Sequence, residues 1–317
     1  KLCISRVKQG RASAVVVNSG NANACTGAQG LRDAEAVARE AARALKLPPT
    51  SVLVASTGRI GVAMPMANVK RGIVAAAGLL ADSEQSARHV AEAIMTSDTR
   101  PKEIAVELRL GGKAVRIGGL CKGAGMIQPG MSPDGRRPAS VPAAVLPGGH
   151  PSGLHATMLC FITTDAAVER QTLQAALTEA VANSFNRITV DGDMSTNDTV
   201  IVLANGLAGN QPLVAAGVSR QAGMLGANQS EPASSQAQLR DFEAFQAALN
   251  HVCLQLAKMI VRDGEGVSRF VTVRVNGARS FADADAAARA VANSALVKTS
   301  WCGGDPNWGR ILDALGY

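Results

Sequence analysis

Short apolar runs alternating with amphipathic stretches predict an α/β (α+β) fold of layered sheets flanked by helices. Apolar residues make up 47% of the 317-residue chain, enough to bury a core. Only 3% of residues are aromatic, so that core must be built from Ala, Val, Leu and Ile, which suits closely packed layers. Strand-like and helix-like stretches follow one another along the whole chain instead of segregating.

The elements follow in order. Ala14-Val15-Val16-Val17 reads as a strand that enters a loop of small polar residues, Asn18 to Gly27. The pattern predicts a helix over Asp33 to Lys46, with Asp33 and Glu35 in its first turn, Arg39, Arg43 and Lys46 toward its end, and Pro48-Pro49 closing it. Val52 to Ala55 is a second strand running into Ser56-Thr57-Gly58, and helices are expected around Met66 to Leu80 and Ser83 to Met95. Ile104 to Leu110 and Ala114 to Ile117 flank Gly111-Gly112, a hairpin signal. Residues 132–155 are dense in Pro and Gly and periodic in neither sense, and read as a loop or disordered insertion. Thr157 to Thr164 is a buried strand by its apolar run, followed by a helix over 169–184 and strands near Ile188-Val190 and Thr199-Ala204. A second loose stretch covers about Gly206 to Ser235. The clearest helix is Gln238 to Arg262, whose apolar positions Leu239, Phe242, Phe245, Leu249, Val252, Leu256 and Ile260 step by three or four. Val271, Val273 and Val275 alternate as a strand, and 282–297 reads as a helix.

Lys and Arg exceed Asp and Glu by ten in residues 1–156 and fall three short in 157–317. A basic half invites a nucleic-acid reading, but the basic residues are scattered, no Lys/Arg run exceeds Arg136-Arg137, and there is no zinc-finger spacing or RNA-binding aromatic signature. Solvated helix faces and an anionic small substrate explain the charge better. No apolar run approaches the roughly 18 residues of a membrane span, so a soluble protein is expected. The six cysteines, Cys3, Cys25, Cys121, Cys160, Cys253 and Cys302, are widely spaced without a C-x-x-C pair, which points to buried free thiols in a reducing compartment. His89, His150, His155 and His251 form no metal-ligand cluster, and no metal site is expected. The chain opens on Lys1 and not Met, so its natural start is expected upstream and targeting signals are not legible.

Three small-residue loops, 18–27, 56–58 and 121–126, each follow a short apolar strand. Their backbone N–H groups could bind an anion or a developing oxyanion, although ordinary turns use the same residues. Lys122-Gly123-Ala124-Gly125 lacks phosphate-loop spacing. Residues 186–199 gather three Asp, two Asn and three Thr around a short apolar segment. EF-hand spacing is absent, leaving a hydrogen-bonded turn beside an active site or a polar hairpin rim.

Taken together, NSGNANACTG at 18–27, Ser56-Thr57-Gly58, KGAGMI at 122–127, ATML at 156–159, SFNRITVDGDMSTNDT at 184–199, LAKMIVRDGEG at 256–266 and DPNWGRI at 305–311 resemble the ornithine acetyltransferase family, also called glutamate N-acetyltransferase, of arginine biosynthesis. The resemblance runs from about residue 13 to the last residue, apart from the two loose stretches. It implies the self-processing ornithine acetyltransferase/aminopeptidase-like fold. It also implies cleavage at Ala156-Thr157 into a first chain, 1–156, and a second, 157–317, whose new N-terminal Thr157 is the nucleophile. The chemistry is coherent, because a Thr hydroxyl needs an adjacent base and a freed α-amine with a pKa of about 8 supplies one. Thr57 and Gly58 are the implied oxyanion donors. Thr96, Lys122, Thr157 and Glu265 are the implied substrate contacts, with Lys122 suited to a carboxylate and Glu265 to the δ-ammonium of ornithine. Arg187, Asp191 and Asp193 are expected to support them from behind. The implied reaction moves acetyl from N-acetylornithine to glutamate, with acetyl-CoA as a second candidate donor, needs no cofactor, and belongs to an assembly of two chains of each kind. The cytoplasm, or an organelle matrix or stroma, is the implied location.

The sequence departs from the family pattern in two respects. The family's G-M-I-x-P-x-M runs directly into A-T-M-L, whereas residues 132–155 stand here between Met131 and Ala156. The family also has more chain at both ends, including C-terminal substrate ligands, an Asn and a Thr or Ser. These departures leave open an inactive homologue or fragment with a binding role. A self-cleaving aminopeptidase or amidase, with water as the acceptor, is the other alternative.

Overall fold

The computed structural model describes residues 2–132, 158–214 and 233–316, with side chains of the third segment from residue 236. After a short helix α1 (Leu2–Val7), β1 (Ala14–Asn18) and β2 (Val52–Ser56) pair in parallel, in register from Ala14↔Val52 to Asn18↔Ser56. The crossover between them is α2 (Gly27–Leu45), as a parallel pair requires. Val37, Ala38, Ala41 and Ala42 of α2 are buried with Val52 and with Ile73 of α3 (Met66–Gly78). The small side chains let helix and strands approach closely.

The second sheet has the order β3-β4-β5-β6. β3 (Lys102–Leu110) and β4 (Lys113–Lys122) form an antiparallel hairpin through Gly111 and Gly112. β4 pairs antiparallel with β5 (Leu159–Thr164), and β5 pairs parallel with β6 (Thr199–Ala204), the crossover being α5 (Arg170–Ala182). Between α3 and β3 lies α4 (Glu84–Ala93), capped by the Ser83 hydroxyl, which accepts the Ser86 N–H. The long α6 (Ala233–Arg262) crosses the second sheet, and its Phe245, Leu249, Val252, Leu256 and Ile260 are wholly buried against Ile117, Ile162 and Phe185. The spacing predicts that face from Phe245 to Ile260, but its first two positions fall short, Phe242 being half-buried and Leu239 exposed. The C-terminal helices are α7 (Phe281–Asn293), α8 (Ala295–Gly303) and α9 (Trp308–Ala314).

Several expectations are corrected. α2 begins at Gly27 and not Asp33, so no acid lies in its first turn. The turn before it is tied by Asn23, which takes the Thr26 hydroxyl at 2.5 Å and donates to the Gly30 carbonyl at 2.8 Å. Ile188-Val190 is not a strand. It follows a 3-10 turn at Phe185–Arg187, and the Val190 N–H makes one bond, to Ile127 O at 2.7 Å, while Thr189 bonds through its side chain to Asn293. Residues 271–275 pair with no strand among the described residues, and alternation without a ladder partner does not make a strand. The helix expected over 282–297 is two helices, broken at Ser294, whose hydroxyl caps the second by accepting the Val297 N–H at 3.3 Å. Helices α1 and α9 carry no signal that the spacing detects. Cys121, Cys160 and Cys253 are buried free thiols, but Cys25 and Cys302 are exposed, Cys25 on a loop that takes a left-handed turn there (φ 56°). Residues 133–157 lie outside the described residues, including Ala156, Thr157 and most of the Pro/Gly-rich stretch. So do residues 215–232 of the second loose stretch.

Candidate active site

The ends of strands from both sheets meet at one place. β2 delivers Thr57 and Gly58, β4 ends on Lys122, and β5 begins at Leu159, which is in register with Lys122 on one side and Thr199 on the other. The Thr57 N–H donates to Asn18 O at 3.1 Å, continuing the β1–β2 ladder by one bond. Gly58 has φ +124°, and a Cβ there would lie 2.3 Å from the Gly20 carbonyl carbon, so only glycine fits against the 18–27 loop. Three of the sequence motifs thereby close on one another, with Asn197 of a fourth reaching Ser56 O at 3.5 Å.

Lys122 is the hub. Its side chain is 1% exposed, and its Nζ donates to Thr96 Oγ1 at 2.7 Å and Thr57 Oγ1 at 3.3 Å, with Asp98 Oδ2 at 3.7 Å. Asp98 in turn accepts from Lys102 Nζ at 2.6 Å, the Gly123 N–H at 2.7 Å and the Thr96 N–H at 3.1 Å. Lys102 Nζ also meets Asp263 Oδ2 at 2.5 Å, and Asp263 takes both the N–H and the hydroxyl of Thr99. Two lysines and two aspartates thus form a buried, charge-balanced group, which is the condition for keeping ions out of water. Burial would push the Asp98 carboxyl up, but Lys102, the Gly123 amide and Lys122 together hold it below its ordinary value. Burial pulls the Lys122 ammonium down, and Asp98 is the largest influence opposing that.

The carboxylate of Glu265 lies across the glycine loop after β4. Its N–H donates to Ala124 O at 2.7 Å, and a Cβ on Gly125 would come within 2.6 Å of its carboxyl group. Glu265 is exposed, so its charge faces solvent beside Lys122's strand. On the other side, the Met158 N–H donates to Asp198 Oδ1 at 3.1 Å and Met158 O accepts the Thr199 N–H at 3.0 Å. Burial pushes the Asp198 carboxyl up to about 7, against the lowering influence of the Met158 and Ser195 hydrogen bonds and of Lys122.

Of the residues singled out by sequence, Thr57, Thr96 and Lys122 are joined directly by hydrogen bonds, and Glu265 flanks them. Thr157 and Ala156 lie outside the described residues, one and two positions before Met158. Asp191 accepts the N–H groups of Met126 at 2.5 Å, Ile127 at 2.9 Å and Asp193 at 3.0 Å, so it shapes the loop that follows Lys122. Arg187 turns away to pair with Asp285 at 3.2 Å and to lie 4.4 Å over the Phe281 ring, and Asp193 is exposed. Sequence reasoning missed Asp98, Lys102, Asp263 and Asp198. Asp198 and Asp263 stand inside quoted motifs, but nothing local marks them as ion partners. Among the described residues, no group of three or more His, Cys, Asp or Glu is arranged to hold a metal, and no helix is long and apolar enough to cross a membrane.

Fold and site define a layered α/β chain whose strand ends converge on a buried lysine bridging two threonine hydroxyls. The ArgJ family model matches residues 1–317, and the chain belongs to that family. It is 48% identical to the arginine biosynthesis bifunctional protein ArgJ of Symbiobacterium thermophilum, over 98% of this chain and 66% of that protein. It is 45% identical to the glutamate N-acetyltransferase of Methanocaldococcus jannaschii, over 96% of this chain and 63% of that protein. The chain therefore spans slightly less than two thirds of the length of these relatives. Among solved structures, the ArgJ protein of Bacillus halodurans matches 37% of this chain and 61% of that chain at 40% identity and a TM-score of 0.35. The ornithine acetyltransferase of Mycobacterium tuberculosis, complexed with ornithine, matches 40% of this chain and 67% of that chain at 31% identity and the same TM-score of 0.35.

Proposed function

We propose that this chain carries the nucleophile and oxyanion site of a glutamate N-acetyltransferase that moves acetyl from N-acetylornithine to glutamate. The observation that carries the reading is the hydrogen-bonded trio Thr57–Lys122–Thr96, next to a β5 start held by Asp198 one residue beyond Thr157. Cleavage at Ala156-Thr157 would divide the chain into 1–156 and 157–317 and free the Thr157 α-amine. In the first half-reaction the hydroxyl proton of Thr157 passes to that amine, Oγ bonds to the acetyl carbon, and the amide C–N bond breaks as the departing ornithine nitrogen takes the proton. In the second, the glutamate α-amine attacks the acetyl ester, N-acetylglutamate leaves, and the Thr157 hydroxyl is restored. Thr57 and the Gly58 N–H stabilise the oxyanion of each tetrahedral intermediate. Losing one such donor typically costs about 10²–10³ in rate.

Glu265 suits the δ-ammonium of ornithine because it is exposed and negative, while Thr96 and Lys122 bring a hydroxyl and a positive charge to the carboxylate side. Acetyl-CoA is a second candidate donor, and two copies of each chain are the expected assembly. The opposite net charges of the two halves favour their staying together.

An intact-mass spectrum of the protein beside a Thr157→Ala control tests the reading. Two fragments, the second beginning at Thr157 and neither formed by the control, are expected. Acetyl transfer from N-acetylornithine to glutamate by the cleaved protein is the second expected result. One uncut species in both samples would sink the reading, and acetyl release to water without transfer would point to an amidase.

A further inference from the structure

Lysine has a long, mobile side chain, and burying its charge is costly, so a wholly buried lysine aimed at a hydroxyl needs something to hold it there. Asp98 is that partner. It lies after α4 with its side chain wholly buried, and its two carboxylate oxygens face Lys102, Lys122, the Gly123 N–H and the Thr96 N–H. The same carboxylate therefore fixes both the backbone next to Lys122 and the backbone of Thr96, to which Lys122 bonds. An ammonium donates and accepts nothing. Thr57 Oγ1 must then be the acceptor of the Lys122 bond, and the Thr57 hydroxyl proton is directed elsewhere. A hydroxyl whose oxygen receives a charged donor is a stronger donor in turn.

We propose that Asp98 is a positioning residue of this site, holding the Lys122 ammonium against Thr57 so that the Thr57 hydroxyl is polarised and aimed as an oxyanion donor. The catalytic consequence rests on the acetyl-transfer reading above. Lys102 retains Asp263 when Asp98 loses its charge, whereas among the described residues the carboxylate nearest in influence on Lys122 is then Asp198. Among the described residues, the charged groups that act on Lys122 are Asp98 from the turn after α4, Lys102 from β3 and Asp198 from the turn before β6, with Asp263 at the end of α6 behind Lys102. Removing the Asp98 charge thus acts on Lys122 in one direction: its ammonium loses its proton at lower pH.

The test uses the whole protein, with rates expressed per cleaved molecule. Asp98→Asn is expected to lower kcat about 10- to 100-fold and to move the alkaline limb of the pH–rate profile down by about one unit. In a Thr57→Val background the same substitution should cost less than about threefold, because the group it acts through is gone. A carbon-13 titration of the Lys122 ε-methylene reads the shift without any assay of activity. Asp98→Glu, which keeps the charge and displaces it, should lower kcat and leave the alkaline limb in place, and this variant decides the matter if Asp98→Asn does not fold. Additive effects of Asp98→Asn and Thr57→Val, an unmoved Lys122 titration, or full kcat in Asp98→Glu would each overturn the proposal. An unsubstituted protein without acetyl transfer would overturn the functional reading and the catalytic consequence with it. The Lys122 titration would then still report on whether Asp98 governs Lys122.

Discussion

Carboxylates hold two neighbouring parts of this molecule in different ways. Asp98 and Asp263 sit in the interior and are paired with Lys102 and Lys122, so each charge depends on the others for its place out of water. Asp191 sits at the surface and accepts backbone N–H groups of Met126, Ile127 and Asp193, with solvent able to replace any of them. The first arrangement fixes side-chain charge at a reacting site, and the second fixes the course of a loop. Identical functional groups thus differ in consequence because of burial and because of what they pair with.

The sharpest way to break this contrast is Lys102→Met. It leaves Asp98 and Asp263 buried without their shared cation, and a loss of about 3–5 kcal/mol in urea unfolding at pH 7 is expected. A loss no greater than that of an exposed pair would show that the interior group is hydrated and the contrast false. Next in size is a pH effect. Asp198 holds its proton more tightly when folded, being pushed up to about 7, so its ionisation opposes folding as pH rises from about 4 through 7. Asp198→Asn should therefore gain on the unsubstituted protein by on the order of 2 kcal/mol between pH 5 and pH 8, read as a growing difference in Tm. Asp98 and Asp263 carry the reverse sign. Their lowered carboxyls stabilise fully above about pH 4, and that stability is lost as pH falls through their folded values.

Asp191→Ala should cost about 1–2 kcal/mol and speed hydrogen exchange at Met126 and Ile127 without touching the Lys122 group, since solvent can take over part of its bonds. Unchanged exchange there would remove Asp191 from its loop-holding role. Smallest is Glu92→Gln, which deletes the exposed pair with Arg88 at 3.2 Å and should change stability by about 0.3–0.5 kcal/mol in low salt.

The parts of the fold that were legible in the sequence are those set by local pattern. The apolar run Thr199–Ala204 is a strand over the residues expected, and the spacing of α6 marks the face that is buried from Phe245 to Ile260 but not at Leu239, which is exposed. Ile188-Val190 and 271–275 have the right composition but no ladder partner among the described residues, and pairing is a property of distant chain that a local window does not contain. The site divides along the same line. Thr57, Thr96, Lys122 and Glu265 were reachable through the family resemblance of their motifs. Asp98, Lys102 and Asp263 were not, because Lys102 meets Asp263 across 161 positions of sequence and no spacing rule connects them.

The second sheet carries a consequence for any cut between Met131 and Met158. β3 and β4 would belong to one piece and β5 and β6 to the other, so the ladder from Ile117↔Thr164 to Lys122↔Leu159 would become an interface between separate polypeptides.

 Each piece would supply half of a sheet that neither could complete, and their one-to-one stoichiometry would be inherited from a single translation product. Exchange of one partner for a newly made one would require the sheet to come apart, so the two would be synthesised, matured and degraded as a single unit.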